Sequence, residues 1–181
     1  MNQCMAYVTV TDSVRPTVTC PGTQTRYMDI NCNYSVENFT GLATATDNCG
    51  MPVLSQSPSP GTTLNGTGNT VVAMMAVDGS GNSASCLITL ILEDTIPPSI
   101  SCPMNFSNAV VGPTCMNALA DYTGLAMVND NCDPSAVVTQ QPAPGTLTGV
   151  GMVQVTLYAT DASCNIDSCG FSINVVDNTP P

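Results

Sequence analysis

The sequence contains no histidine and no lysine, and its only basic residues are Arg15 and Arg26. Without histidine the chain cannot build a Ser-His-Asp or Cys-His pair, and without lysine it cannot form a Schiff base. The formal net charge of −11 excludes a phosphate-binding footprint and therefore nucleic acid as a partner. These absences favour a protein that is not an enzyme.

Long apolar runs are also missing. No stretch approaches the roughly 18 apolar residues of a membrane span, so we expect no membrane insertion. Residues 1–4 do not have the basic start and apolar run of a signal peptide. We therefore expect that the segment reaches its compartment as part of a longer precursor, or that Met1 is simply where the segment was cut. No cysteine pair has the CxxC spacing of a zinc site.

Cysteine, by contrast, is abundant, with ten residues in 181. Cys20 recurs 82 residues later as Cys102, and Cys32 recurs 83 residues later as Cys115. This grid predicts a tandem array, with residues 1–15 as the closing strand of a preceding repeat, residues 16–97 as repeat 1 and residues 98–181 as repeat 2. The cysteine density predicts an extracellular location, because disulfides persist in oxidising compartments.

Apolar and polar residues alternate in short runs that are separated by Pro, Gly, Asn and Asp. In repeat 2 the apolar positions of residues 153–159 and 171–175 alternate with polar ones, around a turn at 161–167. This period of two predicts a hairpin with one buried face. The fold class is therefore all-β, with tandem sandwiches.

The motifs around the cysteines resemble the hyalin repeat (HYR) family. Both repeats show Cys-Pro at residues 20–21 and 102–103, and Asp-Asn-Cys at 47–49 and 130–132. Repeat 1 adds Ala-x-Asp-x-x-Gly-Asn at residues 76–82. The resemblance covers nearly the whole chain and implies immunoglobulin-like sandwiches, a role in extracellular adhesion or matrix, and no catalytic residues. Repeat 2 departs from the pattern where Cys164 replaces the glycine found at position 81.

Four cysteines per repeat allow three disulfide pairings. We favour one bond between the opening and closing strands and a second bond that clips a short loop ending at Asp-Asn-Cys. Such bonds would supply much of the stability of a small domain. The favoured pairs are Cys20–Cys86 and Cys32–Cys49 in repeat 1, and Cys102–Cys169 and Cys115–Cys132 in repeat 2.

Two cysteines, Cys4 and Cys164, remain after this pairing. One interpretation is that Cys4 pairs with a cysteine upstream of the segment and that Cys164 is free or locally paired. The alternative is a cross-link between neighbouring chains that involves one or both of them. The tail around Cys4 also alternates in character, which predicts a strand able to pair with the edge of a neighbouring sheet.

Repeat 1 carries an apolar sheet face that repeat 2 lacks. The inward positions of the two repeats match, but the outward positions of repeat 1 are apolar where repeat 2 has Gln154, Thr156, Tyr158, Thr160, Gly170 and Asn174. A solvated sheet face is normally polar, so this face predicts a protein contact, or a cover formed by the chain itself. We name the following six residues the assembly face: Val71, Ala73, Met75, Val77, Leu87 and Ile91.

Aspartates recur in the entry linker, the Asp-Asn-Cys loop and the last hairpin turn of each repeat. The implied topology places these three elements at one end of the sandwich. Carboxylates and carbonyls suit Ca²⁺, which takes six to eight oxygen ligands, although Asp also serves in turns by bonding its own backbone. The candidate ligands are Asp12, Asp47 and Asp78 in repeat 1 and Asp94, Asp130, Asp133 and Asp161 in repeat 2, with Glu93 nearby.

Four Asn-x-Ser/Thr sequons are candidate N-glycosylation sites in a secreted chain. They begin at Asn33, Asn38, Asn65 and Asn105. Because Ser and Thr are frequent, the number of sequons carries no information. We favour Asn65, which lies in a segment rich in Gly and Asn.

Together these features predict a non-enzymatic structural repeat segment of a secreted protein. The expected activity is self-association into a filament, sheath or surface appendage through the assembly face. The alternative is a cell-adhesion module that recognises another extracellular protein or a glycan. A filament subunit polymerises when it is purified alone, whereas an adhesion module stays monomeric and needs its ligand.

Overall fold

A computed structural model describes residues 4–104 and 106–178, with the backbone alone described for residues 106–108. The chain forms two compact units. Unit 1 comprises the residues up to Met28 together with Asn33–Glu93, and unit 2 comprises Asp29–Cys32 together with the residues from Asp94 onward. The short segment Asp29–Cys32 therefore packs with unit 2, although it precedes most of unit 1 in the chain.

Unit 1 contains a four-stranded sheet and two two-stranded ribbons. The sheet has the order β2-β8-β7-β5, and the ribbons are β1-β4 and β3-β6. The strands are β1 (Thr17–Thr19), β2 (Gln24–Tyr27), β3 (Asn33–Ser35), β4 (Thr44–Thr46), β5 (Val53–Ser57), β6 (Thr63–Asn65), β7 (Gly68–Val77) and β8 (Ser83–Glu93).

Unit 2 repeats this arrangement. Its sheet has the order β10-β16-β15-β13, with the ribbons β9-β12 and β11-β14. The strands are β9 (Ser99–Ser101), β10 (Phe106–Val110), β11 (Asn117–Ala118), β12 (Met127–Asn129), β13 (Val137–Gln141), β14 (Leu147–Thr148), β15 (Gly151–Thr160) and β16 (Ile166–Val176). The all-β prediction is confirmed, and the described residues contain no helix long and apolar enough to cross a membrane.

The two long hairpins set the core of each unit. In unit 1, β7 and β8 pair in antiparallel register, so that Met74 lies opposite Cys86. Every second side chain then points inward, and Met74, Ile88 and Leu90 are fully buried. In unit 2 the rings of Tyr122 and Phe171 form a T-shaped pair with a centroid distance of 5.3 Å. The hairpin predicted from the period of two therefore supplies the inner sheet face.

Three disulfides stabilise the described chain. Cys20–Cys86 and Cys102–Cys169 join a residue beside the first ribbon strand to the closing strand, with Cα–Cα distances of 5.8 Å and 5.6 Å. Both pairings are those that the sequence favoured. The third disulfide joins Cys32 to Cys132, with a Cα–Cα distance of 4.9 Å.

The Cys32–Cys132 bond contradicts the predicted pairs Cys32–Cys49 and Cys115–Cys132. Because the segment Asp29–Cys32 packs in unit 2, Cys32 reaches the Asp-Asn-Cys turn of unit 2 instead of the turn of unit 1. Cys49 and Cys115 are left as exposed free thiols. The expectation that every repeat contains its own loop clip is therefore wrong for this structure.

In each unit a glutamine side-chain amide bonds the backbone of a partly buried loop. Gln140 accepts a hydrogen bond from Tyr122 N–H at 2.8 Å and donates to the carbonyls of Ala120 and Pro142 at 3.1 and 3.0 Å. Gln56 makes the equivalent bond to Phe39 N–H in unit 1. A buried backbone group without a partner is costly, so the Gln140 side chain stabilises the loop before the short 3₁₀ turn at Thr123–Leu125.

We expect the substitution Gln140→Leu to destabilise unit 2 by about 2 kcal/mol, because three backbone groups lose their partner. Urea denaturation monitored by circular dichroism measures this change. Gln154→Leu, on the exposed face of β15, is the control and should change stability by no more than about 0.5 kcal/mol. Equal effects of the two substitutions would contradict the role assigned to Gln140.

Cys164 occupies a backbone conformation that glycine normally adopts. Its φ is 69°, and Gly81, at the same position of the unit 1 turn, has a φ of 89°. An L side chain in this left-handed region is disfavoured by about 1 kcal/mol. We therefore expect Cys164→Gly to raise the free energy of unfolding by up to about 1 kcal/mol, measured in urea under reducing conditions. A loss of stability would show that the thiol makes a compensating contact.

The tail does not form a strand in this chain. Residues 4–14 have no regular secondary structure, and Met5, Tyr7, Val8 and Val10 are all highly exposed. An extended segment requires a partner for its backbone groups before it becomes a strand. The predicted strand character of the tail is therefore not realised within the described residues.

Candidate functional site

In unit 1, three aspartates converge from distant points in the sequence. Asp12 lies in the entry linker, Asp47 follows β4, and Asp78 opens the turn between β7 and β8. One carboxylate oxygen from each residue lies within 4.8 Å of the others. The ends of the strands position all three, as the sequence predicted. We call this group the unit 1 triad.

Asp78 is the buried member of the unit 1 triad and is held by its own turn. Its Oδ1 accepts hydrogen bonds from the N–H groups of Ser80 and Asn82 at 2.9 and 2.8 Å, and its Oδ2 accepts from the Asn82 side-chain amide at 2.8 Å. Burial raises the pKa of Asp78, but these hydrogen bonds lower the pKa by a larger amount. The pKa of Asp78 is therefore below its ordinary value. Asp78 is therefore ionised at neutral pH.

Unit 2 contains the same arrangement, which we call the unit 2 triad. Carboxylate oxygens of Asp94, Asp130 and Asp161 lie within 4.8 Å of one another. Asp161 accepts from Asn165 N–H at 2.8 Å and from the Asn165 amide at 2.7 Å, and the same amide donates to Asp94 O at 3.2 Å. Asp133, which the sequence predicted to be in this cluster, is not part of the triad. Its carboxylate instead accepts from Ser135 and Ala162 N–H.

Each triad contains buried carboxylate oxygens that no hydrogen-bond donor in the described residues reaches. These oxygens are Asp12 Oδ2 and Asp47 Oδ1 in unit 1, and Asp94 Oδ2 and Asp130 Oδ2 in unit 2. Asp94 is only 4% exposed. Leaving a buried acceptor unpaired typically costs about 1–3 kcal/mol, and more for a charged group.

Clustered carboxylates in a partly buried place repel one another. A cation would relieve this repulsion and bond the oxygens that lack donors. The ligand set consists entirely of oxygen, which suits Ca²⁺ better than softer metals such as zinc. The Asn131 Oδ1 oxygen, also buried and without a donor within the described residues, lies in the same turn as Asp130 and adds a neutral oxygen of the kind that calcium accepts. The residues present therefore fit a calcium ion.

The Cys49 thiol lies beside the unit 1 triad. Desolvation and the carboxylates of Asp12, Asp47 and Asp78 raise the pKa of this thiol above its ordinary value. The shift has the direction expected next to negative charge. The raised pKa of the Cys49 thiol is therefore due in part to the same negative charge that favours a cation at the triad.

The assembly face is accessible to solvent in this structure. Val71, Met75 and Leu87 are 52%, 46% and 62% exposed. The other three members, Ala73, Val77 and Ile91, are half-buried. The described part of the chain therefore does not cover the assembly face.

The strand register extends the assembly face onto β5. Val77 pairs with Val53, which is 72% exposed, and Ala73 pairs with Leu87. The sequence did not indicate Val53, because unit 2 also has an exposed valine at this position, Val137. Comparison of the repeats therefore gave no contrast there.

The six positions of unit 2 that correspond to the assembly face are Gln154, Thr156, Tyr158, Thr160, Gly170 and Asn174, although Val137, Met152 and Ile166 are exposed on the same sheet face. Ser172 Oγ lies 2.9 Å from Gln154 Oε1 across the strands, and Thr156 pairs with Gly170. An added Cβ at Gly170 would lie 2.8 Å from the nitrogen of the Gln154 amide, so this flexible side chain would have to shift. The six apolar positions of the assembly face are therefore specific to unit 1, whereas unit 2 exposes apolar side chains at other positions of the same face.

The sequons differ in their accessibility. Asn38 and Asn65 are exposed, whereas Asn33 is half-buried in β3. Asn38 Oδ1 accepts hydrogen bonds from the N–H and hydroxyl of Thr40 at 3.0 and 2.8 Å. Asn105 lies outside the described residues. Asn38 and Asn65 are accordingly the better candidates for modification.

The fold and its disulfides define a class of extracellular protein that is built from tandem β-sandwiches. It belongs to the HYR domain family, whose model matches residues 11–91 and 93–175. HYR domains and hyalin are adhesion-type families without catalytic activity. The resemblance deduced from the cysteine motifs is confirmed.

Curated relatives include hyalin and a bacterial adhesin. Hyalin from Lytechinus variegatus is 34% identical over 179 residues, which covers 94% of this chain and 33% of hyalin. Hyalin from Strongylocentrotus purpuratus is also 34% identical, with 94% and 14% covered. The serine-rich adhesin for platelets from Staphylococcus aureus is 29% identical, with 93% and 8% covered. The chain spans a third or less of the length of these relatives.

Solved structures with a similar outline include cadherin and fibronectin-type modules. The match to protocadherin gamma C5 EC1-3 covers 89% of this chain and 67% of the protocadherin chain, with 13% identity and a TM-score of 0.44. The fibronectin(III)-like modules of Clostridium thermocellum CbhA cover 90% of this chain and 94% of their own, with 11% identity and a TM-score of 0.35.

Proposed function

We propose that this chain is a non-enzymatic structural segment that assembles into an extracellular filament, sheath or surface appendage. The observation that carries the proposal is the assembly face. It is accessible and apolar on unit 1, and the six corresponding positions of unit 2 are Gln154, Thr156, Tyr158, Thr160, Gly170 and Asn174. Exposed contiguous apolar patches usually mark protein contacts. Because only unit 1 is apolar at these six positions, contact through them with a different surface of another copy would be heterologous, and heterologous contacts that do not close produce filaments.

We further propose that each triad binds one Ca²⁺. The support is the pair of donor-free buried oxygens in each triad, together with the excess of negative charge. In unit 2 the ion would join the linker residue Asp94 to the turns that carry Asp130 and Asp161. Bound calcium would therefore fix the entry linker on the unit that follows it. No EF-hand spacing is needed for this, because the fold brings the ligands together.

Electron microscopy of the purified chain, with and without calcium, tests assembly directly. Filaments formed by the chain alone support the proposal. A chain that remains monomeric at high concentration in light scattering, with calcium present, contradicts it.

The second candidate function is an adhesion module. This function is favoured by the similarity to a protein named an adhesin. It is also favoured by the exposed apolar side chains of the tail, such as Tyr7 and Val10. Such a module would bind a different extracellular protein, or a glycan, through the same apolar face. A monomeric chain that is captured by a ligand only when Met75 and Leu87 are intact would favour this function over assembly.

A further inference from the structure

One turn of unit 2 carries both a member of the triad and a disulfide. Asp130 and Cys132 are two residues apart, and Cys132 is bonded to Cys32. The Cys132 N–H donates to Asp130 Oδ1 at 2.9 Å, so the residue that carries the disulfide also orients a triad carboxylate. The other oxygen of this carboxylate, Asp130 Oδ2, is buried and is reached by no donor in the described residues. The disulfide and the proposed calcium site therefore share one turn.

A side-chain amide connects the disulfide to a second member of the triad. The Asn131 amide donates to Asp29 O and to Asp94 Oδ1, both at 3.1 Å. Asp29 opens the segment Asp29–Cys32, which packs in unit 2 and ends at the disulfide. Asp94 is 4% exposed, and its Oδ2 oxygen has no donor within the described residues. One amide therefore joins the segment that the disulfide holds to a buried carboxylate of the triad.

The segment Asp29–Cys32 depends on the disulfide for its place in unit 2. Asp29, Ile30 and Asn31 are all exposed, so burial of apolar surface contributes little to holding the segment. The hydrogen bond from the Asn131 amide adds little, because water can replace it on both groups. We therefore expect the segment to move away from Asn131 when the disulfide is reduced.

Unit 1 has the same turn with a different surrounding. Cys49 N–H donates to Asp47 Oδ2 at 2.9 Å, as Cys132 does to Asp130, but Cys49 is a free thiol in the described chain. Asn48, the counterpart of Asn131, is exposed, and its amide contacts Cys49 Sγ at 3.1 Å. The chain therefore offers the same set of three carboxylates once with a disulfide in the turn and once without.

We infer that the Cys32–Cys132 disulfide controls the calcium affinity of the unit 2 triad, and that bound calcium in return protects this disulfide against reduction. The inference rests on the proposed calcium sites and names the regulation of one of them. A disulfide that holds Asp130 and Asn131 in place leaves less conformational freedom to be lost when the ion binds. Coupling between two equilibria is reciprocal, so the factor by which reduction weakens calcium binding is also the factor by which calcium opposes reduction.

Reduction of the Cys32–Cys132 bond is a two-electron exchange with a dithiol such as dithiothreitol. The S–S bond of the protein breaks, the two protons of the dithiol end on the Cys32 and Cys132 thiols, and the reductant closes to a cyclic disulfide. Couplings between sites typically amount to factors of roughly 5–150, and we expect about ten here. Because a factor of ten corresponds to about 30 mV in a two-electron couple, calcium should lower the reduction potential of this disulfide by about 30 mV.

Variants with one triad disabled allow each site to be titrated alone. Asp47→Asn replaces a donor-free oxygen of unit 1 and leaves the unit 2 site, and Asp130→Asn does the reverse. In the Asp47→Asn chain, the added pair Cys32→Ser and Cys132→Ser is expected to weaken calcium binding about tenfold in isothermal titration calorimetry. In the Asp130→Asn chain, the same pair is the matched control and should leave the calcium affinity unchanged. Unchanged affinity at unit 2, or equal weakening in both chains, would overturn the inference.

The reciprocal effect is measured with the disulfide intact, so it does not depend on the folding of the serine pair. The Asp47→Asn chain is equilibrated with reduced and oxidised dithiothreitol, in about 10 mM calcium or in chelator. Alkylation and mass spectrometry then give the reduced fraction of each disulfide. Exchange with the free thiols is prevented by serine at four further positions, which are Cys4, Cys49, Cys115 and Cys164.

Calcium is expected to shift the Cys32–Cys132 couple and to leave Cys20–Cys86, the disulfide of unit 1, unchanged. Cys102–Cys169 is the control within unit 2, because neither of its cysteines lies in the turn that carries Asp130. Equal shifts of Cys32–Cys132 and Cys102–Cys169 would overturn the inference, since calcium would then only stabilise unit 2 as a whole. An unshifted Cys32–Cys132 couple would overturn it as well.

The titrations also separate this inference from the proposed function. If the Asp47→Asn chain and the parent chain both bind no calcium, the proposed sites and the inference fail together. If calcium binds unit 2 equally well with and without the Cys32–Cys132 bond, only the inference fails. Neither measurement requires filaments, so the outcome of electron microscopy decides assembly alone.

Discussion

Calcium is expected to raise the melting temperature of the chain by about 10 °C relative to a chelator. Extracellular calcium modules bind with dissociation constants of about 10⁻⁴–10⁻³ M. At 10 mM calcium this range gives about 1.4–2.7 kcal/mol of stabilisation, and each kcal/mol shifts the midpoint of a small domain by about 4–8 °C. Two triads predict two ions per chain in calorimetric titration. Coincident melting curves with calcium and with chelator would contradict the proposal.

The substitution Asp130→Asn provides a test in which the sign of the effect changes with the ion. It keeps an oxygen that can accept from Cys132 N–H and replaces the donor-free carboxylate oxygen with an amide. With calcium, the variant should be less stable than the parent chain and bind one ion instead of two. With chelator it should be more stable, because one of three mutually repelling charges is gone.

Asp121→Asn is the matched control for this experiment. It removes the same charge from the same unit, and unit 1 already has an asparagine, Asn38, at this position. Asp121 Oδ1 accepts from Thr123 N–H and hydroxyl at 2.9 and 2.7 Å, as Asn38 does from Thr40. The control should therefore leave the calcium stoichiometry at two. If Asp121→Asn abolished one site as Asp130→Asn does, a nonspecific charge effect would explain both.

The triads could be predicted from sequence because they depend only on topology. Each aspartate follows a strand or lies in a linker, and the sandwich brings those chain positions to one end. Asp133 shows the limit of this reasoning. It lies three residues from Asp130, but its carboxylate is used by the N–H groups of Ser135 and Ala162. Which carboxylates face the cluster is decided by turn geometry, which composition does not reveal.

The predicted disulfides were likewise partly right and partly wrong. Cys20–Cys86 could be predicted because the opening strand must lie against the closing strand for the core to form. Cys32 was assigned to the wrong partner because Cys49 and Cys132 have the same local sequence, Asp-Asn-Cys. The choice between them depends on which unit the segment Asp29–Cys32 packs with, and that is a property of the tertiary structure.

Met75→Asp is expected to raise the concentration needed for assembly by at least tenfold. Met75 is near the middle of the assembly face, opposite Ser55 on β5 and Ser85 on β8, and is 46% exposed. Burying a methionine side chain at a contact contributes about 1.5–3 kcal/mol, and every 1.4 kcal/mol is a factor of about ten in affinity. A carboxylate in its place would also have to be desolvated without a partner. Sedimentation or light scattering against concentration measures the shift.

Tyr158→Asp is the matched control, because Tyr158 holds the position of Met75 on the outer face of unit 2 and is 38% exposed. Both variants add the same charge to the exposed face of a long hairpin strand, so both should retain the fold by circular dichroism. Only Met75→Asp should impair assembly, since the outer face of unit 2 has no role in the proposed contact. Equal loss in the two variants would mean that added negative charge, and not the apolar face, controls association. If Met75→Asp assembled at the same concentration as the parent chain, the contact would not involve β7.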